Sequence, residues 1–256
     1  MTGAEPPSVV RIAMWSGPRN ISTAMMRSFG SRADCAVSDE PFYAAYLAAS
    51  GLDHPMREAV IASQPTDWRK VAADMTGPVP DSKGVWYQKH MTHHMLPDFG
   101  LDWSEGLVNA FLIRAPEAVL ASYAQKRDSE FRLDEIGLPA QVELFERTAQ
   151  RLGAAPPVID GQDVLADPRS TLTALCSACG LAFDAAMLSW APGRRASDGV
   201  WAPAWYDAVE RSTGFGPPRR EAGFDELPDS LKPIAEAARP LYERLARHKL
   251  APASRN

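Results

Sequence analysis

The sequence predicts an α/β fold: one three-layer domain in which helices cover both faces of a central parallel sheet. Two patterns predict it. Short apolar runs alternate along the chain with longer segments of helical periodicity, the order expected when crossover helices join parallel strands. The clearest strands, at residues 9–15 and 108–113, are apolar almost throughout, as strands buried on both faces are. A chain of 256 residues suits one such domain and would make two small ones.

The elements follow in order. Residues 9–15 read as a strand, 16–20 as a turn and 21–29 as a helix. A short strand at 35–38 leads to a helix at 40–49, with Pro41 in the first turn, where proline is tolerated. Residues 55–75 are helical and polar-faced, broken at Pro65, and 78–83 form a loop. Strands follow at 85–89 and 108–113. A helix with an i, i+4 apolar face covers 116–127, and another covers 139–152. A short strand at 157–160 precedes a helix at 168–179. The last quarter is irregular and rich in aromatics until a helix at 230–248. In such sheets ligands sit at the carboxyl ends of the strands, so segments just after strands carry the functional expectations.

Composition narrows the function classes. Hydrophobic residues make up 45% and charged residues 23%, as in a soluble globular protein whose core needs neither disulfides nor a metal. The net charge is −5 and the pI near 5.6, so a basic nucleic-acid footprint is absent and any anion site must be built locally. No apolar run approaches the ~20 residues that span a bilayer. Residues 1–8 lack the basic start and apolar stretch of a signal peptide. The expectation is a cytoplasmic protein that binds neither membrane nor nucleic acid, with homodimer formation left open. Cys176 and Cys179 form a C-x-x-C pair, which would suit redox chemistry or half a zinc site. They share a helical stretch and lack a second Cys/His pair at ligand spacing, so buried packing is the expectation and no metal is expected.

Two segments are suited to anions. Trp15-Ser16-Gly17-Pro18-Arg19-Asn20-Ile21-Ser22-Thr23 follows the first strand and opens a helix. The first helical N–H groups lack intrahelical partners and the macrodipole is positive there. Gly17 allows a tight backbone path, Arg19 brings a fixed charge, and Ser22 and Thr23 bring hydroxyls. The plain alternative is a capped strand-to-helix turn. The segment is not a Walker A loop, since the second Gly and the Lys of G-x-x-x-x-G-K-[ST] are missing. The second segment is Phe111-Leu112-Ile113-Arg114-Ala115-Pro116, with Ser122 eight residues after Arg114. Its plain alternative is a solvated arginine and a helical serine.

Together these segments resemble the PAPS-dependent sulfotransferase family, where PAPS is 3′-phosphoadenosine 5′-phosphosulfate. Residues 16–23 are similar to its 5′-phosphosulfate loop, and Arg114 with Ser122 to its 3′-phosphate motif. Ile159-Asp160-Gly161-Gln162-Asp163-Val164-Leu165-Ala166-Asp167-Pro168 resembles its "Y-E-D-L-x-x-D-P" stretch. A closer resemblance is to bacterial sulfotransferase-like proteins carrying "W-S-G-P-R-N-I-S-T-A-M-M", "D-E-P-x-Y" and "H-H" segments. Two departures stand out: Arg19 replaces the common Lys, and Ala115 the usual Asp. The resemblance implies a P-loop-like fold over one domain, residues 1–256, with a nucleotide-binding core at 8–181 and a lid segment and helix at 182–256. It implies PAPS as donor and a hydroxyl or amine of a small molecule as acceptor, with Ser16, Gly17, Pro18, Arg19, Asn20, Ser22, Thr23, Arg114 and Ser122 on the nucleotide. The late stretch Arg194-Arg195-Ala196-Ser197-Asp198-Gly199-Val200-Trp201 is similar to the family's "R-K-G-x-x-G-D-W" segment, adding Arg194 and Arg195 as nucleotide contacts. A loop pinned to the core by its tryptophans is the alternative.

Transfer of a sulfuryl group needs charge stabilisation, expected from Arg19 and the helix N-terminus, and a base for the acceptor proton. Glu40, in Ser38-Asp39-Glu40-Pro41-Phe42-Tyr43, is the expected base. Its alternative is a first-turn glutamate whose pKa the helix dipole lowers. The segment Lys89-His90-Met91-Thr92-His93-His94 resembles the Lys-x-His stretch of cytosolic sulfotransferases. It puts His93 and His90 in reserve, since a histidine ordinarily titrates near neutrality. The rival readings are a P-loop nucleotide-dependent kinase or phosphotransferase, and a nucleotide-binding module without catalysis.

Overall fold

The computed structural model describes residues 9–124, 132–218 and 220–253. Five strands, β1 (Val10–Ser16), β2 (Cys35–Asp39), β3 (Val85–Met91), β4 (Val108–Ile113) and β5 (Val158–Asp160), form one sheet in the order β2-β3-β1-β4-β5. Every pairing is parallel. The helices between them are α1 (Ser22–Gly30), α2 (Tyr43–Ser50), α3 (Arg57–Ser63), α4 (Trp68–Thr76), α5 (Pro116–Ala124) and α6 (Leu138–Leu152). After β5 come α7 (Gly161–Ala166), α8 (Pro168–Ala178), the single turns α9 (Ala202–Trp205) and α10 (Asp207–Glu210), and the long α11 (Lys232–Ala246).

Strand alternation explains the uniform apolar runs. Ala13, Trp15, Phe111 and Ile113 point to one face, where α5, α6 and α11 pack through Leu120, Val142, Phe145 and Ala238. Ile12, Met14, Ala110 and Leu112 point to the other, against Met25 and Phe29 of α1 and Leu172 and Leu175 of α8. Two apolar layers thus clamp the sheet, each strand supplying both. Cys176 and Cys179 are free and buried in the second layer. Burial pushes their thiols up to about 11 and about 12, which makes them inert packing groups.

Several boundaries differ from the sequence expectation. The helix expected from residue 40 begins at Tyr43, because Glu40 has φ 42° and turns the chain after β2. Pro41 therefore lies before the helix rather than in its first turn. β3 runs on to Met91, so His90 and Met91 are strand residues as well. The expected helix at 116–127 is described to Ala124, and its last three positions lie outside the described residues. Residues 161–166 are helical, and the break at Pro65 separates α3 from α4.

Two glycines set how closely the first loop packs. A Cβ on Gly17 would stand 2.4 Å from the carbonyl oxygen of Ile136. Gly137 has φ +75°, and a Cβ there would meet Thr92 Oγ1 at 2.6 Å and the Cα of Gly17 at 3.3 Å. Gly17 is thus required by a backbone close approach. Replacing Gly17 with Ala is expected to destabilise the fold by about 1–3 kcal/mol, read as a drop in the thermal midpoint. An unchanged midpoint would show that the loop has room to spare.

Candidate active site

All five strand ends open on one side of the sheet, and their loops surround a cavity of about 400 Å³. Pro18, Arg19, Asn20, Ser22 and Thr23 line it after β1, Glu40 after β2, His93 and His94 after β3, Arg114 after β4 and Gln162 after β5. The carboxyl edge is where a parallel sheet with a reversal of strand order forms its crevice, and here the reversal flanks β1.

The first loop is built around strain. Arg19 and Ile21 have φ 59° and 41°, a region costly for side chains with a Cβ. Asn20 pins the loop by donating from Nδ2 to the Leu112 carbonyl at 2.7 Å. Ile21 occupies the cap position of α1 and offers no side-chain cap, so the first N–H groups of the helix face the cavity without it. Arg19 donates from Nε to Ser122 Oγ at 3.0 Å, and Arg114 donates from Nη1 to the Arg19 carbonyl at 2.6 Å. Arg114 also donates from Nε to Glu221 Oε1 at 2.7 Å. Burial, and then the charge of Arg114, pull the Arg19 pKa below its ordinary value. Two guanidiniums and a helix N-terminus therefore converge on one end of the cavity, an arrangement that favours an anion.

A carboxylate network forms the other end. Asp39 and Lys89 are register partners across β2 and β3. Lys89, 1% exposed, donates from Nζ to Asp39 Oδ1 at 2.9 Å, Glu40 Oε1 at 2.6 Å and Tyr206 Oη at 2.7 Å. Burial acts to lower the Lys89 pKa, but the charges of Asp39 and Glu40 outweigh it and hold the ammonium well above its ordinary value. For Glu40, burial raises the carboxyl pKa, Lys89 opposes, and Asp39 adds to the rise. The dipole-stabilised first-turn alternative does not apply, since Glu40 precedes α2. Tyr206 donates to Asp39, and the Gly199 N–H donates to Asp39 Oδ2 at 3.0 Å. Arg27 grips Asp198 through two bonds. The segment after residue 197 is thereby locked to the β2 edge.

Burial moves the histidines away from the near-neutral titration of an ordinary imidazole. His90 lies outside the cavity lining, stacked on Trp15 with ring centroids 4.6 Å apart and bonded through Nε2 to Gln88 Oε1. His93 does line the cavity, beside His94, which stacks between Tyr43 and Tyr46. Burial pushes His90 and His93 down to about 3, and lowers His94 also, so all three are neutral at physiological pH.

Most expected residues converge: Pro18, Arg19, Asn20, Ser22, Thr23, Glu40, His93, Arg114 and Ser122 share the cavity. Four others do not. Ser16 is fully buried, its hydroxyl turned to Met91 Sδ, and Gly17 packs on Ile136. Arg194 faces Glu210 at 3.9 Å with its side chain 54% exposed, and Arg195 donates to the Ala191 carbonyl. Neither arginine lines the cavity: the Arg195 N–H is tied to Asp198 Oδ2, the carboxylate that Arg27 holds, and both side chains turn away from it. Sequence reasoning missed Lys89, Asp39 and Tyr206 as site residues. The first two adjoin residues it had singled out; Tyr206 gave no signal beyond its aromatic neighbourhood. Among the described residues no cluster of three or more His, Cys, Asp or Glu is arranged to hold a metal ion.

The buried histidines predict an acid-sensitive fold. The His90 pKa is depressed from 6.5 to about 3, so between those values the unfolded chain takes a proton that the native one refuses. Its contribution is complete above pH 6.5 and is lost as pH falls, by about 1.4 kcal/mol per pH unit. Urea unfolding from pH 7.5 to 5 should show a shallower decline for His90→Gln than for the wild type. Parallel declines would show that His90 protonates in the native state.

A sulfotransferase domain profile matches residues 10–248. Two curated proteins of Arabidopsis thaliana are similar: branched-chain-amino-acid aminotransferase-like protein 1, 38% identical over 240 residues, and protein 2, 34% identical over 237. Each match covers 93% of this chain but only 42% and 41% of the relative, so the chain spans about two fifths of their length. Among solved structures, a sulfotransferase from Alicyclobacillus acidocaldarius matches with TM-score 0.56 and 11% identity, covering 97% of this chain and 98% of the other. The sulfotransferase domain of the curacin biosynthetic pathway matches with TM-score 0.53 and 16% identity, covering 91% and 98%. That of the Synechococcus PCC 7002 olefin synthase matches with TM-score 0.51 and 17% identity, covering 91% and 96%. These three share the fold, and with the profile spanning nearly the whole chain, this protein belongs to the sulfotransferase domain family.

Proposed function

We propose that the protein transfers a sulfuryl group from PAPS to a hydroxyl or amine of a small-molecule acceptor. One observation carries the reading: Arg19 and Arg114 meet at one end of a single cavity whose other end holds the buried carboxylate of Glu40. The 5′-phosphosulfate would lie on the loop after β1 and the N-terminus of α1, with the 3′-phosphate on Arg114 and Ser122. The acceptor would then sit beside Glu40, between His93, His94 and Tyr43.

In the transfer, the acceptor oxygen forms its bond to sulfur while the bond from sulfur to the 5′-phosphate oxygen breaks. The electron pair leaves on the phosphate, where Arg19 and the α1 N–H groups neutralise it. The acceptor proton goes to Glu40. A carboxyl raised by burial is better matched to that task near neutral pH than an ordinary glutamate. Lys89 fixes the carboxylate without filling the cavity. His93 and His94 border the acceptor as neutral rings. A P-loop kinase reading is weaker, since the loop lacks the Walker lysine. A non-catalytic nucleotide-binding module remains the second reading, separated from the first by turnover.

Three outcomes follow. Adenosine 3′,5′-bisphosphate should bind at least about tenfold more tightly than adenosine 5′-monophosphate, from charge-assisted bonds to its second phosphate. Arg114→Ala should erase that preference, and equal affinities in the wild type would sink the second anion site. Glu40→Gln should lower turnover by ~10²–10⁴-fold with donor affinity nearly unchanged; full activity in that variant would move the base elsewhere. The pH profile supplies an independent check. The base works ionised and its pKa is raised, so activity should fall as pH drops through a value above 4.5, the ordinary glutamate figure. A rising limb at or below that figure would exclude Glu40.

A further inference from the structure

We propose that Glu221 is a displaceable counter-ion for Arg114, which the second phosphate of the nucleotide must replace, and that its return speeds release of the spent nucleotide. The inference rests on the donor reading above. Arg114 is a cavity residue at the end of β4, yet its Nε already donates to Glu221 Oε1 at 2.7 Å. The carboxylate therefore holds the position in which a phosphate oxygen would be bound. Glu221 itself lines the cavity.

The pair is placed to open. Its side chains are 22% and 16% exposed, so either partner can be rehydrated as the contact breaks, unlike the Lys89 network. Glu221 lies in a stretch whose described residues, 215–218 and 220–222, have no regular secondary structure and whose flanks are fastened. On one side the Trp190 N–H donates to the Thr213 carbonyl and Phe215 packs edge-on against Trp190. On the other the Gly223 N–H donates to Glu226 Oε2. The carboxylate can swing out without disturbing sheet or helix.

Charge explains why it would be there. With no anion bound, Arg114 lies against the Arg19 loop and its charge disfavours that of Arg19. Glu221 offsets that repulsion. A phosphate dianion has more charge and more acceptor oxygens than one carboxylate, so it wins Arg114 and repels Glu221. Breaking the ion pair weakens binding of the 3′-phosphate, and the waiting carboxylate gives Arg114 a partner as the nucleotide departs. A nucleotide without that phosphate leaves the pair intact.

The test compares the wild type with Glu221→Gln and Glu221→Ala. Calorimetry gives the affinities for adenosine 3′,5′-bisphosphate and adenosine 5′-monophosphate, and stopped-flow displacement gives the bisphosphate dissociation rate. Both variants should bind the bisphosphate about tenfold more tightly and release it correspondingly more slowly, with monophosphate affinity unchanged. If the wild type prefers the bisphosphate but the variants bind it equally or more weakly, Glu221 is not a counter-ion to be displaced, and the donor reading stands. Equal tightening for both nucleotides would also overturn the proposal, reducing it to a general field effect. If neither the wild type nor the variants prefer the bisphosphate, the donor reading itself fails and this inference with it.

Discussion

The ammonium of Lys89, buried in the middle of a parallel sheet, is the constraint from which the carboxylate half of the site is built. An unpaired charge in that position would cost several kcal/mol, so its neighbours are dictated. Asp39 arrives by strand register, Glu40 by the left-handed turn that follows it, and Tyr206 from a segment more than a hundred residues away. Two carboxylates against one ammonium leave an excess of negative charge in a buried place. That excess falls on Glu40, the member that reaches the cavity. The network thus satisfies a buried ammonium and leaves one cavity carboxylate with its proton affinity raised.

The same network explains what the sequence could and could not disclose. Apolar runs at residues 9–15 and 108–113 revealed the parallel sheet because both faces of each strand are covered, and periodicity reports burial directly. Arg19, Arg114 and Glu40 were legible because they follow strands immediately, where topology alone brings them to one edge. Lys89 and Tyr206 were not. A lysine inside a strand looks like a surface residue until its partners are known, and those partners are set by register and by a long-range fold-back. Arg194 and Arg195 do not line the cavity, for the related reason that position in a motif fixes neither the direction of a turn nor what anchors it. Here Asp198, not an arginine of that stretch, made the inward contact, with Arg27.

The histidines differ from ordinary imidazoles in environment rather than in position. His90, His93 and His94 occur together after Lys89, and unperturbed imidazoles there would be natural bases. The sheet continues two residues further than the apolar pattern indicated, which buries His90 against Trp15. The aromatic rings of α2 cover His94. Desolvation then removes the charged state that a base must reach. Burial raises a carboxylate toward neutral pH and pushes an imidazole away from it, so one environment shifts Glu40 up and the histidines down.

Strand order supplies the last link. In the sequence β2-β3-β1-β4-β5, the carboxylate network grows from β2 and β3, and the second arginine from β4. β1 lies between them and carries the strained loop with Arg19. Neighbouring strands are about 4.8 Å apart, so β2 and β4 are separated by about 15 Å, with β3 and β1 between them. A group held on the β1 loop therefore has positive charge on one side and a raised carboxylate on the other. The positive φ of Arg19, Ile21 and Glu40 places left-handed residues where the two ends meet that group. Such conformations persist only where the surroundings overdetermine them, and here the surroundings are Leu112 holding Asn20, and Lys89 holding Glu40. The polarity that transfer chemistry requires is thus a consequence of which strands neighbour β1, with the loops only refining it.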